Sequence, residues 1–354
     1  MRSRQLTLAG TALAALILSA CGNGDGDSAG ADLPDDLEGE LTFVCSPNEE
    51  LCAAWADAFE AETGVQTNFV RLSAGEALAR LQAGGEVPEF DVWHGGPADT
   101  FIAAMDEGLL APYESPMADE IEDDLKDPEG YWTGVYLGAI AFCSNQDRLD
   151  ELGVEAPESW DDVLDPAYAG ELSMAHPATS GTSYTLLWTQ VERLGGEDAA
   201  IDYMRQLDQN VLQYTRSGSA PAQMAGRGEV TSALMFAHGC QSQIEEGFDN
   251  LTISFPEETG YEIGAVAMIE GTQNEENAQA YIDWALSPAA QDIGPEEGNY
   301  QSLTHPDSIS DDRMVDLDEI NLVDYDFEQA GENRIELTQR FDDEIAEEPD
   351  EDAE

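Results

Sequence analysis

The ten residues Ala175-His176-Pro177-Ala178-Thr179-Ser180-Gly181-Thr182-Ser183-Tyr184 decide how this chain is read. The short apolar run Leu172–Met174 leads into them, and Leu187, Val191 and Leu194 follow at helical spacing. The pattern predicts a strand, a turn and a helix, with Thr179, Ser180, Gly181 and Thr182 at the helix start. The first amides of a helix lack partners within it, and the helix dipole leaves that end partly positive. Hydroxyls and a glycine there form a cradle for a phosphate or carboxylate. An ordinary Thr/Ser cap before a core helix uses the same residue types. Four small polar residues in a row after a proline shift the balance toward a ligand.

The same grammar extends on both sides. Toward the N-terminus, Leu41–Val44 is a short apolar run, followed by helical spacing at Leu51, Ala54, Trp55, Ala58 and Phe59. Val65–Val70 alternates as a strand, a helix carries Leu78 and Leu81, and Phe90–Trp93 is a strand before a helix from Ala98. This order of alternating strands and helices predicts a mostly parallel sheet wrapped by helices. Ligands of such sheets sit beyond the carboxyl ends of the strands. Three small or polar loops fall there: Ser46-Pro47-Asn48, Ser73-Ala74-Gly75 and His94-Gly95-Gly96. Tyr131–Ala141 reads as an extended crossing into a second alternating set. Its strands are Ile140–Cys143, Leu172–Met174, Val211–Tyr214, Ser232–Phe236, Leu251–Phe255 and Ile263–Ile269, and a helix follows from Asn277.

The first residues read as a targeting segment. Arg2 and Arg4 precede an apolar run from Leu6 to Leu18, too short to span a bilayer comfortably. The run ends in Leu18-Ser19-Ala20-Cys21, which resembles a bacterial lipobox and makes Cys21 the expected lipidation site. Residues 22–38 read as a flexible acidic linker. The remaining stretch of roughly 315 residues suggests two domains. The chain carries 75 Asp and Glu against 13 Lys and Arg, a formal net charge of −62, with Lys126 its only lysine. The acids are spread along the chain, so a salt-loving source is expected, where a Debye length of about 3 Å in 1 M salt screens the self-repulsion. Nucleic-acid binding is excluded because the basic footprint is missing. The acidic tail from about residue 342 is expected to be disordered. Cys45, Cys52, Cys143 and Cys240 are an even set in an exported chain and suggest disulfides. Cys45–Cys52 is a plausible local pair, which leaves Cys143–Cys240, but all three connectivities remain open.

Several phrases then resemble the bacterial extracellular solute-binding proteins of ABC importers, of the ferric-binding type. They are Phe59-Glu60-Ala61-Glu62-Thr63-Gly64, Phe90-Asp91-Val92-Trp93 with Gly95-Gly96, and Gly108-Leu109-Leu110-Ala111-Pro112-Tyr113. Others are Pro157-Glu158-Ser159-Trp160-Asp161-Asp162, Pro177 to Thr182, and Trp284-Ala285-Leu286-Ser287-Pro288-Ala289-Ala290-Gln291. The resemblance implies an α/β fold of the two-lobe periplasmic-binding-protein type (type II), with hinge-crossing strands and a solute held between lobes. Residues 39–137 with 260–354 would form lobe 1, and 138–259 lobe 2. It implies a monomeric receptor without enzymatic activity or cofactor, held at the membrane by lipid and serving an ABC permease and its ATPase.

Ferric members hold iron with adjacent tyrosines after a second-lobe strand, whereas the matching place here reads Ala237-His238-Gly239 and no Tyr-Tyr pair exists. The chain is more similar to the hexose-phosphate and phosphonate branch, at the Thr179–Thr182 turn, at Gln213–Pro221 and at Thr259-Gly260-Tyr261-Glu262. Sugar-phosphate binders there carry a His-Asp pair; this chain has His238-Gly239, so a smaller organophosphate fits equally. The expected anion donors are Thr179, Ser180, Gly181 and Thr182, with Ser46 and Ser73 approaching from the first lobe. Arg216 is either a neutralising cation or a salt-bridge partner. His238 and Glu262 are candidates for the organic part, and His94 and His176 are weaker ones. No metal site is expected. A ferric receptor is the alternative, and a secreted phosphate-ester hydrolase is a third reading that lacks an evident nucleophile and base. A signalling accessory that presents solute to a sensor kinase looks the same in sequence.

Overall fold

The computed structural model describes residues 31–349 apart from 32, 35 and 86. Cys21 lies outside the described residues. The first segment runs β1 (Glu40–Cys45), α1 (Glu49–Thr63), β2 (Gln66–Arg71), α2 (Ala74–Gln82), β3 (Val92–Pro97), α3 (Ala98–Asp106) and β4 (Leu110–Ala111). A 13-residue strand, β5 (Thr133–Asn145), then crosses to the second segment. That segment holds α4 (Gln146–Leu152), β6 (Leu172–Ala175), α5 (Gly181–Leu194), α6 (Glu197–Leu207), β7 (Val211–Thr215), α7 (Ala220–Gly226), β8 (Ser232–Phe236), α8 (Ala237–Glu245) and β9 (Leu251–Ser254). The chain returns along β10 (Tyr261–Ile269) to α9 (Glu275–Ala285), α10 (Pro288–Gln291), α11 (Ile293–Glu296) and β11 (Ser302–Leu303), and ends in α12 (Phe327–Glu344).

The strands lie in the order β2-β1-β3-β10-β5-β8-β6-β7. In the first segment β2, β1 and β3 are parallel and β10 is antiparallel to β3, while β6 is parallel to both β7 and β8 in the second. β5 pairs with β10 through Thr133–Ala139 and with β8 through Ile140–Ser144, so one strand serves both segments. This is the mixed α/β architecture of periplasmic binding proteins.

Local chemistry accounts for the elements. Asn48 caps α1 by accepting from Leu51 N, Glu49 and Glu50 complement the dipole, and Gly64 closes the helix at φ 78°. The Glu76 carboxylate accepts from Ser73 N at the start of α2, which is half of a capping box. Phe43, Phe59, Tyr281 and Trp284 centre the first core, and Phe142, Trp160, Tyr184 and Met204 the second. Cys45 is bonded to Cys52 and Cys143 to Cys240. The first bridge ties β1 to α1; the second ties β5 to the first turns of α8.

Four expectations need correction. His94–Gly96 is strand rather than loop, because β3 continues to Pro97 against β10. Ala237–Cys240, which follows the Ser232–Phe236 run and reads as its strand end, instead opens helix α8. The linker is not free up to residue 38: Leu37 is buried in the first core, and Asn277 donates to the Glu38 carbonyl. The tail is not disordered from 342. α12 runs to Glu344, Ala346 O meets His176 Nε2 at 2.9 Å, and Glu348 and Pro349 meet Arg216. Its apolar face is the reason: Leu337 and Phe341 are fully buried in the second core. The same helix reaches the first segment, where Arg334 pairs with Asp99 of α3 at 3.0 Å with both side chains out of solvent.

Candidate functional site

A cavity of about 280 Å³ lies between the two segments. Seven of the nine expected ligand residues line it: Ser46, Ser73, Ser180, Gly181, Thr182, His238 and Glu262. They converge because five helices of nine or more residues begin at its wall. Asn48 caps α1, Ser73 and Ala74 start α2, Pro97 precedes α3, Ser180 and Gly181 start α5, and Ala237 starts α8 just before the lining His238 and Gly239. Each start follows the carboxyl end of a strand, and each presents amides without intrahelical acceptors, although at α2 Gly75 N and Glu76 N already donate to Thr179 O. The positive ends of these helix dipoles favour an anion, while the carboxylates of Glu50 and Glu246 also stand on the wall.

Close approach is built in through glycine. A Cβ on Gly181 would fall 2.5 Å from Pro97 Cδ, and one on Gly218 would fall 2.2 Å from Thr182 Oγ1 and 2.8 Å from Ser180 Oγ. The loop of Gly218 therefore covers the hydroxyls of the turn. From the opposite wall, Ser46 Oγ accepts from Trp93 Nε1 at 3.0 Å, and the Tyr136 hydroxyl accepts from Gly96 N at 2.9 Å.

Two expected residues lie elsewhere. The Thr179 hydroxyl donates to the carbonyls of His176 and Arg216, so it braces the turn from behind. Arg216 binds Glu76 at 2.7 Å and Glu348 at 2.9 Å and does not line the cavity. Arg71 is the lining cation. Its Nε donates to Pro47 O at 2.9 Å, and its two terminal nitrogens donate to Ser73 Oγ and Ser217 Oγ. Arg71 ends β2, one residue past the strand read from the sequence, and the rule that selected Ser46 and Ser73 selects it too. Asn299 and Gln301, far away in sequence, also line the wall and carry no local signal.

Burial disfavours charge at the inner end. Glu262 lies in β10 opposite Gly138 of β5, and burial holds its carboxyl well above the usual carboxylate range. Burial also lowers His238 to about 4, so its imidazole is neutral near pH 7. Its Nδ1 has no hydrogen-bond partner, and its ring stacks on Phe236. Both side chains reach over Gly138, where an added Cβ would meet His238 Nδ1 at 2.9 Å and Glu262 Oε1 at 3.1 Å. A neutral imidazole and a carboxyl that burial pushes toward its protonated form offer both donor and acceptor atoms to hydroxyl groups. Ser242, Gln223 and Gln243 extend that polar wall.

The two weaker histidine candidates, His94 and His176, are committed to packing. His94 is fully buried, stacked on Trp55, and bonded through Nδ1 to the Tyr281 hydroxyl at 3.0 Å. His176 Nδ1 accepts from Ala178 N, so its Nε2 donates to the Ala346 carbonyl.

The sequence pattern described as bacterial extracellular solute-binding protein matches residues 97–327. The periplasmic binding protein AfuA from Actinobacillus pleuropneumoniae, solved with exogenous fructose-6-phosphate bound, is 38% identical. It superposes with a TM-score of 0.84 over 87% of this chain and 98% of its own. An uncharacterized protein of Haemophilus influenzae is 35% identical over 302 residues, 84% of this chain and 87% of its own length. A putative 2-aminoethylphosphonate-binding periplasmic protein of Salmonella typhimurium is 24% identical over 268 residues, 70% of this chain and 77% of its own.

Proposed function

The chain belongs to the family of bacterial extracellular solute-binding proteins, and from that premise we propose that it captures a phosphorylated sugar or a comparable small organophosphate or phosphonate. The observation that carries this reading is the convergence of five helix starts and Arg71 on one small cavity whose inner end holds neutral His238 and Glu262. The helix amides and Arg71 suit an anionic head group. His238 and Glu262 suit the hydroxyls of an organic body. The fructose-6-phosphate bound to AfuA supports the same division. The extreme net charge does not oppose it, because screening in molar salt removes the distant repulsion while adjacent amides and guanidinium act at contact.

In this reading the chain divides near residues 137 and 260 into one lobe built from its two ends and another from 138–259, and they close on the solute, while α12 spans both: Leu337 and Phe341 pack in the second core and Arg334 pairs with Asp99 of the first segment. Cys21 carries a lipid that keeps the receptor beside an ABC permease, and the role is capture and delivery rather than catalysis.

The test is thermal shift in molar salt with fructose 6-phosphate, glucose 6-phosphate, 2-aminoethylphosphonate, inorganic phosphate and ferric citrate. A ligand at about a hundred times its Kd adds about 2.7 kcal/mol to stability. A shift with a phosphorylated or phosphonate compound that is lost in Thr182→Ala supports the reading. A shift with ferric citrate alone refutes it and returns the iron alternative.

A further inference from the structure

The two segments also touch outside the cavity, at a contact that needs no solute. The α2 start faces the back of the anion turn across the cleft, and Gly75 N donates to Thr179 O at 3.0 Å, with Glu76 N at 3.3 Å from the same carbonyl. A carbonyl of the second segment thus accepts from the first amides of a helix in the first segment, where a partial negative charge is stabilised. The fit is tight. A Cβ on Gly75 would lie 2.0 Å from Ala178 O and 2.7 Å from Thr179 O. Beside it, Arg216 from the second segment grips Glu76 at 2.7 Å. The far side of the same guanidinium is held by Glu348 and the Pro349 carbonyl. Arg216 is 14% exposed in its side chain, which limits screening of the pair.

We infer that this contact is a closure latch: Gly75, Glu76, Thr179 and Arg216 hold the two segments together, and the C-terminal tail positions Arg216 for it. The inference rests on the reading that the segments close on a solute and adds what holds them closed. Arg216 then acts through closure rather than by touching solute, and Gly75 is a positioning residue selected by the space it leaves empty. The latch biases the empty receptor toward the closed form. Solute dissociation, and hand-over to a permease, must then break these two backbone hydrogen bonds and this ion pair, along with cross-segment contacts such as Arg71–Ser217 and Ser242–Gly298, in addition to the solute contacts.

Gly75→Ala isolates the latch from folding. Alanine is the better helix former, so α2 itself is not weakened, but the new methyl cannot approach a carbonyl oxygen within 3.0 Å and the segments must part by about 1 Å. Gly85→Ala is the control, since its Cβ would meet open space. Glu76→Gln removes the ion pair and keeps an acceptor for Ser73 N. The solute-free full chain is measured in molar salt by small-angle X-ray scattering, and by amide exchange of the peptide spanning residues 74–77. Wild type and Gly85→Ala should be compact and protected. Gly75→Ala should show a larger radius of gyration and exchange roughly tenfold faster at those amides, with little change in melting temperature because the helix propensity gained by alanine offsets much of the lost contact. Glu76→Gln should move both readouts the same way by less. A wild type already as expanded as Gly75→Ala overturns the latch, as does a Gly75→Ala chain that matches wild type in both readouts. Neither measurement uses a solute, so failure of the thermal-shift panel and failure of the latch are separate results.

Discussion

Opening the Cys143–Cys240 bridge should cost more stability than opening Cys45–Cys52, by an amount set by their loops. The bridges close sequence separations of 97 and 7 residues. In the loop-entropy account, the longer one stabilises by about 4.7 kcal/mol and the shorter by about 2.4 kcal/mol at 25 °C. All four cysteines are fully buried, so the cavity left by replacing either pair with alanine is similar and cancels in the comparison. The expected difference between Cys143→Ala/Cys240→Ala and Cys45→Ala/Cys52→Ala is therefore about 2.3 kcal/mol. Urea titration of both double variants and wild type in molar salt reads it. A functional effect should accompany it. Cys240 stands two residues beyond His238 on the first turns of α8, so the long bridge also anchors the side chain at the inner end of the cavity. If the 143–240 variant loses no more stability than the 45–52 variant, loop closure is not what that bridge contributes.

Three further outcomes are expected. Arg71→Gln should weaken binding of the active compound from the thermal-shift panel by roughly 10- to 150-fold, the loss of a hydrogen bond to a charged group; isothermal titration checks this, and unchanged affinity removes Arg71 from the anion site. Between the ordinary carboxylate value of 4.5 and its own raised folded value, Glu262 keeps a proton that the unfolded chain releases, so its contribution to stability falls as pH rises through that window. Glu262→Gln should therefore gain more melting temperature over wild type at pH 8 than at pH 4, and an equal gain at both values argues against a buried protonated acid. Finally, the melting temperature should rise steadily between about 0.1 M and 2 M sodium chloride as the acidic surface is screened; a flat or falling curve contradicts self-repulsion as the dominant surface term.

The sequence by itself determined what depends on near neighbours along the chain. Helix starts at Asn48, Ser73 and Ser180 are written in capping residues and dipole-compatible first turns, which act within one turn of the backbone. The alternation of strands and helices fixes where helix starts must gather, so Ser46, Ser73 and Ser180–Thr182 could be placed at one site before any contact was known. The tertiary structure alone decided charge and partnership. Arg71 and Arg216 look alike in sequence, yet one lines the cavity and the other bridges Glu76 to the tail, and only their places in the folded chain decide which. Glu262 looks like any acid in an acidic chain. Its place in β10 over Gly138 buries it, and burial, which no local pattern encodes, is what raises its proton affinity. α12 was hidden for a related reason. Only its last residues, from 342, read as an acidic tail and the rest carried no assignment; it is ordered by a stripe formed by Arg334, Leu337 and Phe341 that meets its partners only after both segments have folded.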